Sequence, residues 1–162
     1  MAEILEAQAL LADTYEPKRK NRWVIAINGL DAFTAKTASR PQFSHDETVI
    51  DFINVKRYLA GKITWQPMNL TLLDPIVPSA AQKVMEWARL AHEATTGRMG
   101  YAQFYQKNIN LKMLDPVGAV VEDWELQNAW LQDVNFNDLD YTSSDPVDVA
   151  LVIRYDRAVL LF

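Results

Sequence analysis

The stretch Lys56-Arg57-Tyr58-Leu59-Ala60-Gly61-Lys62-Ile63-Thr64-Trp65-Gln66-Pro67-Met68-Asn69-Leu70-Thr71-Leu72-Leu73-Asp74-Pro75 reads as a strand that feeds a helix beginning at Ser79. Ile63 and Trp65 occupy one phase of a period-two pattern and Met68, Leu70 and Leu72 the other, so the phase changes at Pro67. Proline cannot donate a ladder hydrogen bond, and a bulge or break there accounts for the change. Asp74-Pro75 then ends the strand as a turn, and Pro78 keeps the chain from entering the helix early. Ser79 is placed to cap the helix, with Gln82 able to reach back in a capping box. Ala80, Val84, Trp87, Ala88, Ala91 and Ala94 recur at steps of three and four, while Lys83, Glu86, Arg89 and Glu93 lie largely off that face. The pattern predicts one amphipathic helix that lies close against a sheet, weakens at Thr95-Thr96 and stops at Gly97.

The rest of the composition suits that arrangement. A chain of 162 residues fits a single domain, 1–162, and can bury a sizeable core without staples. An apolar fraction of 49% and five tryptophans argue against disorder. With no cysteine there is neither a disulfide framework nor a thiolate metal site, which fits assembly in a reducing cytoplasm. No apolar run approaches membrane-spanning length, and no basic-then-apolar signal pattern opens the sequence. A net charge of -5 disfavours tight binding to nucleic-acid phosphates and does not exclude a surface that lets nucleic acid slide past.

Upstream, residues 2–13 predict a short helix with Ile4, Leu5, Ala9 and Leu11 on one side, broken by Asp13, Thr14 and Pro17. The cluster Lys18-Arg19-Lys20-Asn21-Arg22 could touch nucleic acid, but cations at a strand edge are more often a solvated linker. Trp23-Val24-Ile25-Ala26-Ile27 is a strand, and Asn28-Gly29 is a hairpin signal of the type I′ kind, with residues 30–37 returning. Residues 40–47 read as a polar loop, and Thr48-Val49-Ile50-Asp51-Phe52-Ile53 resumes strand character.

Downstream, Ile109, Leu111 and Met113 alternate with polar residues as a half-buried strand, and Asp115-Pro116-Val117-Gly118 turns into residues 119–127. Trp130, Val134 and Phe136 mark a further strand, and Val147, Val149, Leu151, Ile153 and Tyr155 a last one. The Asp-Pro pairs at Asp74, Asp115 and Asp145 are turn punctuation, not an internal repeat. The expectation is a mainly β (α+β) chain of about seven or eight antiparallel strands, closed or nearly closed as a barrel or sandwich, with one flanking helix.

Sites for chemistry are scarce. His45 and His92 are the only histidines, and neither has metal-like spacing or a nucleophile elbow beside it. Gly61-Lys62 lacks the upstream glycine of a phosphate loop, and Ile63 stands where Ser or Thr belongs. No catalytic residue, metal site or cofactor is expected. The one enzymatic candidate is Glu122-Asp123-Trp124-Glu125, since carboxylates beside an aromatic can bind and hydrolyse a sugar. On a strand, Asp123 and Glu125 share a face and Glu122 opposes them, so half the cluster reads as a solvated edge. The cluster belongs to a longer acidic region. Between Lys112 and Arg154 no lysine or arginine falls, whereas Asp115, Glu122, Asp123, Glu125, Asp133, Asp138, Asp140, Asp145 and Asp148 all do.

The run 54–65, the strand Met68 to Asp74, the helix with Val84, Glu86 and Trp87, and Val121-Glu122-Asp123-Trp124-Glu125-Leu126-Gln127-Asn128-Ala129-Trp130 carry a resemblance, as do the strands at 23–28 and 147–155. In order and kind they resemble the tail tube protein of contractile-tailed bacteriophages, within the superfamily that includes type VI secretion tubes. The likeness covers nearly the whole chain beyond residue 20, and it lies in the order of elements more than in any one residue.

The resemblance implies a non-enzymatic structural protein of the virion tail, assembled in the host cytoplasm. Its β-barrel would form hexameric rings that stack into a tube, with sheath, baseplate and tape-measure proteins as partners and double-stranded DNA passing through, without membrane insertion. By position it places residues 40–62 against the neighbouring ring, with Arg40, Arg57, Tyr58, Leu59 and Lys62 at the contact. Residues 1–20 become an N-terminal segment ordered on assembly, with 2–17 at an interface. Glu122, Asp123 and Glu125 are the candidates for lining the channel. A type VI or other contractile injection tube is the alternative reading, and a carbohydrate-active enzyme the distant one.

Overall fold

The computed structural model describes residues 6–11 and 14–162. In chain order its elements are α1 (Ala7–Leu10), β1 (Trp23–Ile27), a single 3-10 turn (Ala32–Thr34), β2 (Ala35–Ala38), β3 (Phe43–Phe52), β4 (Val55–Trp65) and β5 (Met68–Leu73). There follow α2 (Ala80–Ala91), α3 (Ala102–Tyr105), β6 (Lys107–Leu114), β7 (Val120–Asn135), β8 (Asp148–Arg154) and β9 (Arg157–Leu160). Of the helix predicted over 2–13, the turn Ala7–Leu10 is present, and positions 2–5, 12 and 13 lie outside the described residues.

All the strand pairings between these elements are antiparallel. One half-sheet runs β1-β6-β7 with β9 on the far side of β7, and the other runs β7-β8-β5-β2. They share β7, which bends where Asn128 takes a positive φ of 56°, a conformation asparagine tolerates better than most residues. The buried positions step from Leu126 to Ala129 across that bend, so the strand keeps an inward face in both half-sheets. The two strands predicted at 119–127 and 130–136 are therefore one.

Alternation supplies the core. Ile25 and Ile27 of β1, Met68, Leu70 and Leu72 of β5, Ile109 and Leu111 of β6, and Val149, Leu151 and Ile153 of β8 all point inward. Ala80, Val84 and Trp87 of α2 join the same cluster. Trp87 satisfies its indole N–H on the Tyr105 carbonyl oxygen at 2.7 Å, and the Lys107 ammonium stands 4.9 Å from its ring centre. Among the described residues no ladder joins β1 to β2, so the half-sheets form an open sandwich and do not close into a barrel.

Four local expectations are corrected. Only Gly29, at φ 91°, takes a positive φ in the Asn28-Gly29 turn, so it is not type I′. The returning segment pairs with β5 as β2 instead of with β1, beyond a single bridge between Ile27 and Leu30. The segment predicted as a polar loop at 40–47 becomes strand from Phe43. Finally, α2 ends at Ala91, short of Gly97. There His92 turns to extended backbone and Gly100 N–H donates to the Ala91 carbonyl at 2.9 Å. An added Cβ at Gly100 would sit 2.0 Å from the Leu90 carbonyl oxygen, so only glycine lets the returning chain close that helix end.

Candidate assembly surfaces

The break at Gln66-Pro67 separates two strands of different character. β5 is buried on alternate residues, whereas among the described residues β3 and β4 pair only with each other and project as a two-stranded arm. The arm is rooted by aromatics: Phe43 lies 5.0 Å from Trp65, and Trp65 lies 6.1 Å from the buried Tyr155, ring centre to ring centre. Gln66 N–H donates to the Gln42 carbonyl at 2.8 Å beside them.

Beyond the root the ladder slips between His45 and Glu47, opposite Gly61. A Cβ at Gly61 would meet the Asp46 carbonyl oxygen at 2.8 Å, so the bulge depends on glycine there. Directly paired residues share a face, and the bulge leaves Thr48, Ile50 and Phe52 opposite Leu59, Arg57 and Val55. Arg57 is the one charged side chain in that group, and Ile50, Phe52, Val55 and Leu59 are all exposed. The other face pairs Val49 with Tyr58 and Asp51 with Lys56. At the tip Ile53 is 85% exposed with φ 53°, an uncommon conformation for a β-branched residue. An isolated two-stranded hairpin is marginal in water, and this one leaves its apolar side chains uncovered.

The predicted contact residues divide. Arg57, Tyr58 and Leu59 lie on the arm and are exposed, so Tyr58 and Leu59 are not core, and Lys62 lies beside the bulge. Arg40, just before β3, is already used within the chain: its guanidinium donates to Glu122 at 2.5 Å. Glu122 is only 3% exposed and also accepts from Lys18 and, at 2.5 Å, from the Trp124 indole. Burial alone would push the Glu122 carboxyl up. The hydrogen bonds from Lys18, Trp124 and Arg40, with the Arg40 charge, outweigh it and hold the group at about 2.

The three acidic candidates lie as strand alternation requires. Glu122 pairs in register with Met113, on the core face. Asp123 and Glu125 lie on the opposite face across from Lys112 and Asn110. Asp123 accepts from Asn110 at 3.2 Å and stands 4.0 Å from the Lys112 ammonium, while Glu125 is half-buried and keeps the freer carboxylate. Asp148 pairs with Lys36 at 2.9 Å, so cations from other parts of the chain answer part of the acidic region. Among the described residues no cluster of His, Asp or Glu could hold a metal ion, and no helix is long and apolar enough to cross a membrane.

This architecture has solved counterparts. A chain of the anti-feeding prophage tube-terminating cap superposes with a TM-score of 0.75 at 16% identity, covering 96% of this chain and 98% of its own. A chain of the PVC extracellular contractile injection system, from its extended sheath-tube complex, gives 0.72 at 14% identity over 97% and 98%. Hcp1 from Flavobacterium johnsoniae gives 0.54 at 12% identity over 86% and 94%. The chain shares the fold of these chains. That fold agrees with the resemblance carried by residues 54–65 and 121–130, although no protein-family model matches the sequence and no curated protein does. The arm carries uncovered apolar side chains, and the outer strands of the open sandwich leave unpaired edges among the described residues.

Proposed function

We propose that the chain is the repeating structural subunit of the inner tube of a contractile phage tail. In this reading six copies form a ring, rings stack into a hollow tube within a sheath, and double-stranded DNA leaves through the lumen. The observation that carries it is the β3–β4 arm, an exposed ladder with apolar side chains uncovered on a tail-tube fold. Apolar surface of that kind marks an interaction site, and a second copy supplies the sheet edges and apolar ground it needs. A contact between different patches of identical copies repeats into rings and stacks. Arg57, Tyr58 and Leu59 are of the types that concentrate binding energy at interfaces or fill its apolar ground. The segment 14–20 meets a neighbour, and sheath, baseplate and tape-measure proteins complete the tail.

The chain acts without catalysis in this reading. Glu122 is committed to ion pairs and Asp123 to Asn110 and Lys112 within the fold, which leaves Glu125 as the one freer carboxylate of the cluster where a glycosidase needs a pair. Glu125 lines the lumen in this reading, with the nearly buried Asp123 behind it on the same face, and negative charge there keeps DNA from adhering. Reversing Glu125 to Lys is expected to slow genome ejection while tubes still assemble, and an unchanged ejection rate would count against a lumenal position.

The deciding experiment is negative-stain electron microscopy of the purified protein beside its mass in solution. Rings of sixfold mass or hollow tubes are expected. A chain that stays monomeric even with its baseplate present would remove the tube reading. A type VI or other contractile injection tube, which would carry protein, is separated by gene context: capsid and terminase neighbours support the phage tail, and an ATPase with effector genes opposes it.

A further inference from the structure

Two segments leave the sandwich without belonging to it: residues 14–22, which lead into β1, and the link that carries Arg40 into the arm. Both return to one buried atom group. Lys18 and Arg40 lie 104 and 82 residues from Glu122 in sequence, and each donates to a different oxygen of its carboxylate. The Trp124 indole shares the oxygen that Arg40 uses and keeps the carboxylate turned inward. The two cations differ from their acceptor in exposure, with side chains 50% and 59% exposed against 4% for Glu122. Either cation can therefore swing into solvent at little cost, whereas the buried carboxylate loses its compensation when they do.

We propose that Glu122 is a positioning residue for assembly: one buried carboxylate pins both the arm root and the 14–22 segment to the sandwich, setting the direction in which the two are presented to a neighbouring subunit. The role of the arm rests on the tube reading above, but the pinning does not. The bulge at Gly61 and the Trp65–Tyr155 contact hold the arm's own geometry. Backbone bonds of Arg22 to Leu114 and of Ser39 to Asn69 hold the ends at which the two segments leave the sandwich, and Glu122 is the residue on which the ion pairs of both converge.

The test is amide hydrogen exchange on the full-length, unassembled chain, with tube yield read separately by pelleting. In Glu122→Gln, amides of 14–22 and of the arm root at 43–45 and 63–65 are expected to exchange about tenfold faster, the factor that losing one charge-assisted hydrogen bond supplies. Amides of β6 and β8 should stay unchanged, and tube yield should fall. Arg40→Gln should loosen only the arm root, and Lys18→Gln only 14–22. These two replace half-exposed side chains, so they carry the test if Glu122→Gln fails to fold. Unchanged exchange at the arm root in Arg40→Gln, or at 14–22 in Lys18→Gln, overturns the proposal. Equal loosening of β6 and β8 also overturns it, because the carboxylate would then be a general stabiliser. Absence of tubes from the unaltered chain with its baseplate, alongside the expected exchange pattern, would sink the tube reading and leave the tether standing.

Discussion

At the residue scale, Glu122 carries the clearest pH signature. Its carboxyl is held at about 2 against an ordinary 4.5, so its contribution to stability is fully present above the ordinary value and is lost as pH falls toward 2. The cations that hold it are half-exposed and screened by solvent, which limits the contribution to about 1–2 kcal/mol. In Glu122→Gln the faster amide exchange of 14–22 and of the arm root should be present at pH 7, with the gap from the parent closing between pH 4.5 and 2. A gap that persists at pH 2 would mean that packing, not charge, is lost. Gly61 makes a second prediction. The Gly61→Ala Cβ meets the Asp46 carbonyl oxygen at 2.8 Å, so the bulge must shift and tube yield should drop. The melting temperature, set by the sandwich, should move by no more than about 2 °C. Neither role was readable beforehand. Strand alternation correctly opposed Glu122 to Asp123 and Glu125, but a solvated edge and a buried ion pair give the same alternation, and partners 82 and 104 residues away leave no local trace.

At the element scale, α2 shows how far local pattern reaches. Ser79 caps the helix as its place before the apolar run implies, with its Oγ accepting from Gln82 N–H at 3.4 Å. The stronger cap comes from Asp74, whose Oδ1 accepts from Ala80 N–H at 3.0 Å and from Ala81 N–H at 3.3 Å. A carboxylate there also meets the positive end of the helix dipole. We expect Asp74→Ala to cost about 1–2 kcal/mol and Ser79→Ala about 0.5 kcal/mol by chemical denaturation; the reverse order would contradict the geometry. Asp74 reads in sequence only as turn punctuation, because its use as a cap depends on the 75–78 turn folding back. The far end was misplaced for a similar reason: Gly97 is a valid stop, yet the backbone of Gly100 closes the helix first. The arm start was missed because alternation of Phe43, His45 and Glu47 with Ser44 and Asp46 has no buried face to give it contrast.

At the scale of the whole molecule, the sandwich and the arm are energetically separable. The core is continuous through β1, β5, β6, β7, β8 and α2, and the arm beyond its bulge contributes no residue to it. Placing Asp at both Phe52 and Leu59 should therefore leave unfolding free energy within about 0.5 kcal/mol of the parent while abolishing tubes seen by microscopy. Tubes that still form would move the stacking surface elsewhere. By itself the sequence determined the strand class, the single long helix and its apolar face, the break at Pro67 and the inward residues of β5, β6 and β8, because period and turn chemistry are local properties. Only the tertiary structure decided that β2 pairs with β5, that two expected strands are one bent through Asn128, that the sandwich stays open, and that Lys18, Arg40 and Glu122 meet. Those outcomes depend on which distant edges and charges compete for one another, a competition settled by packing the whole chain at once.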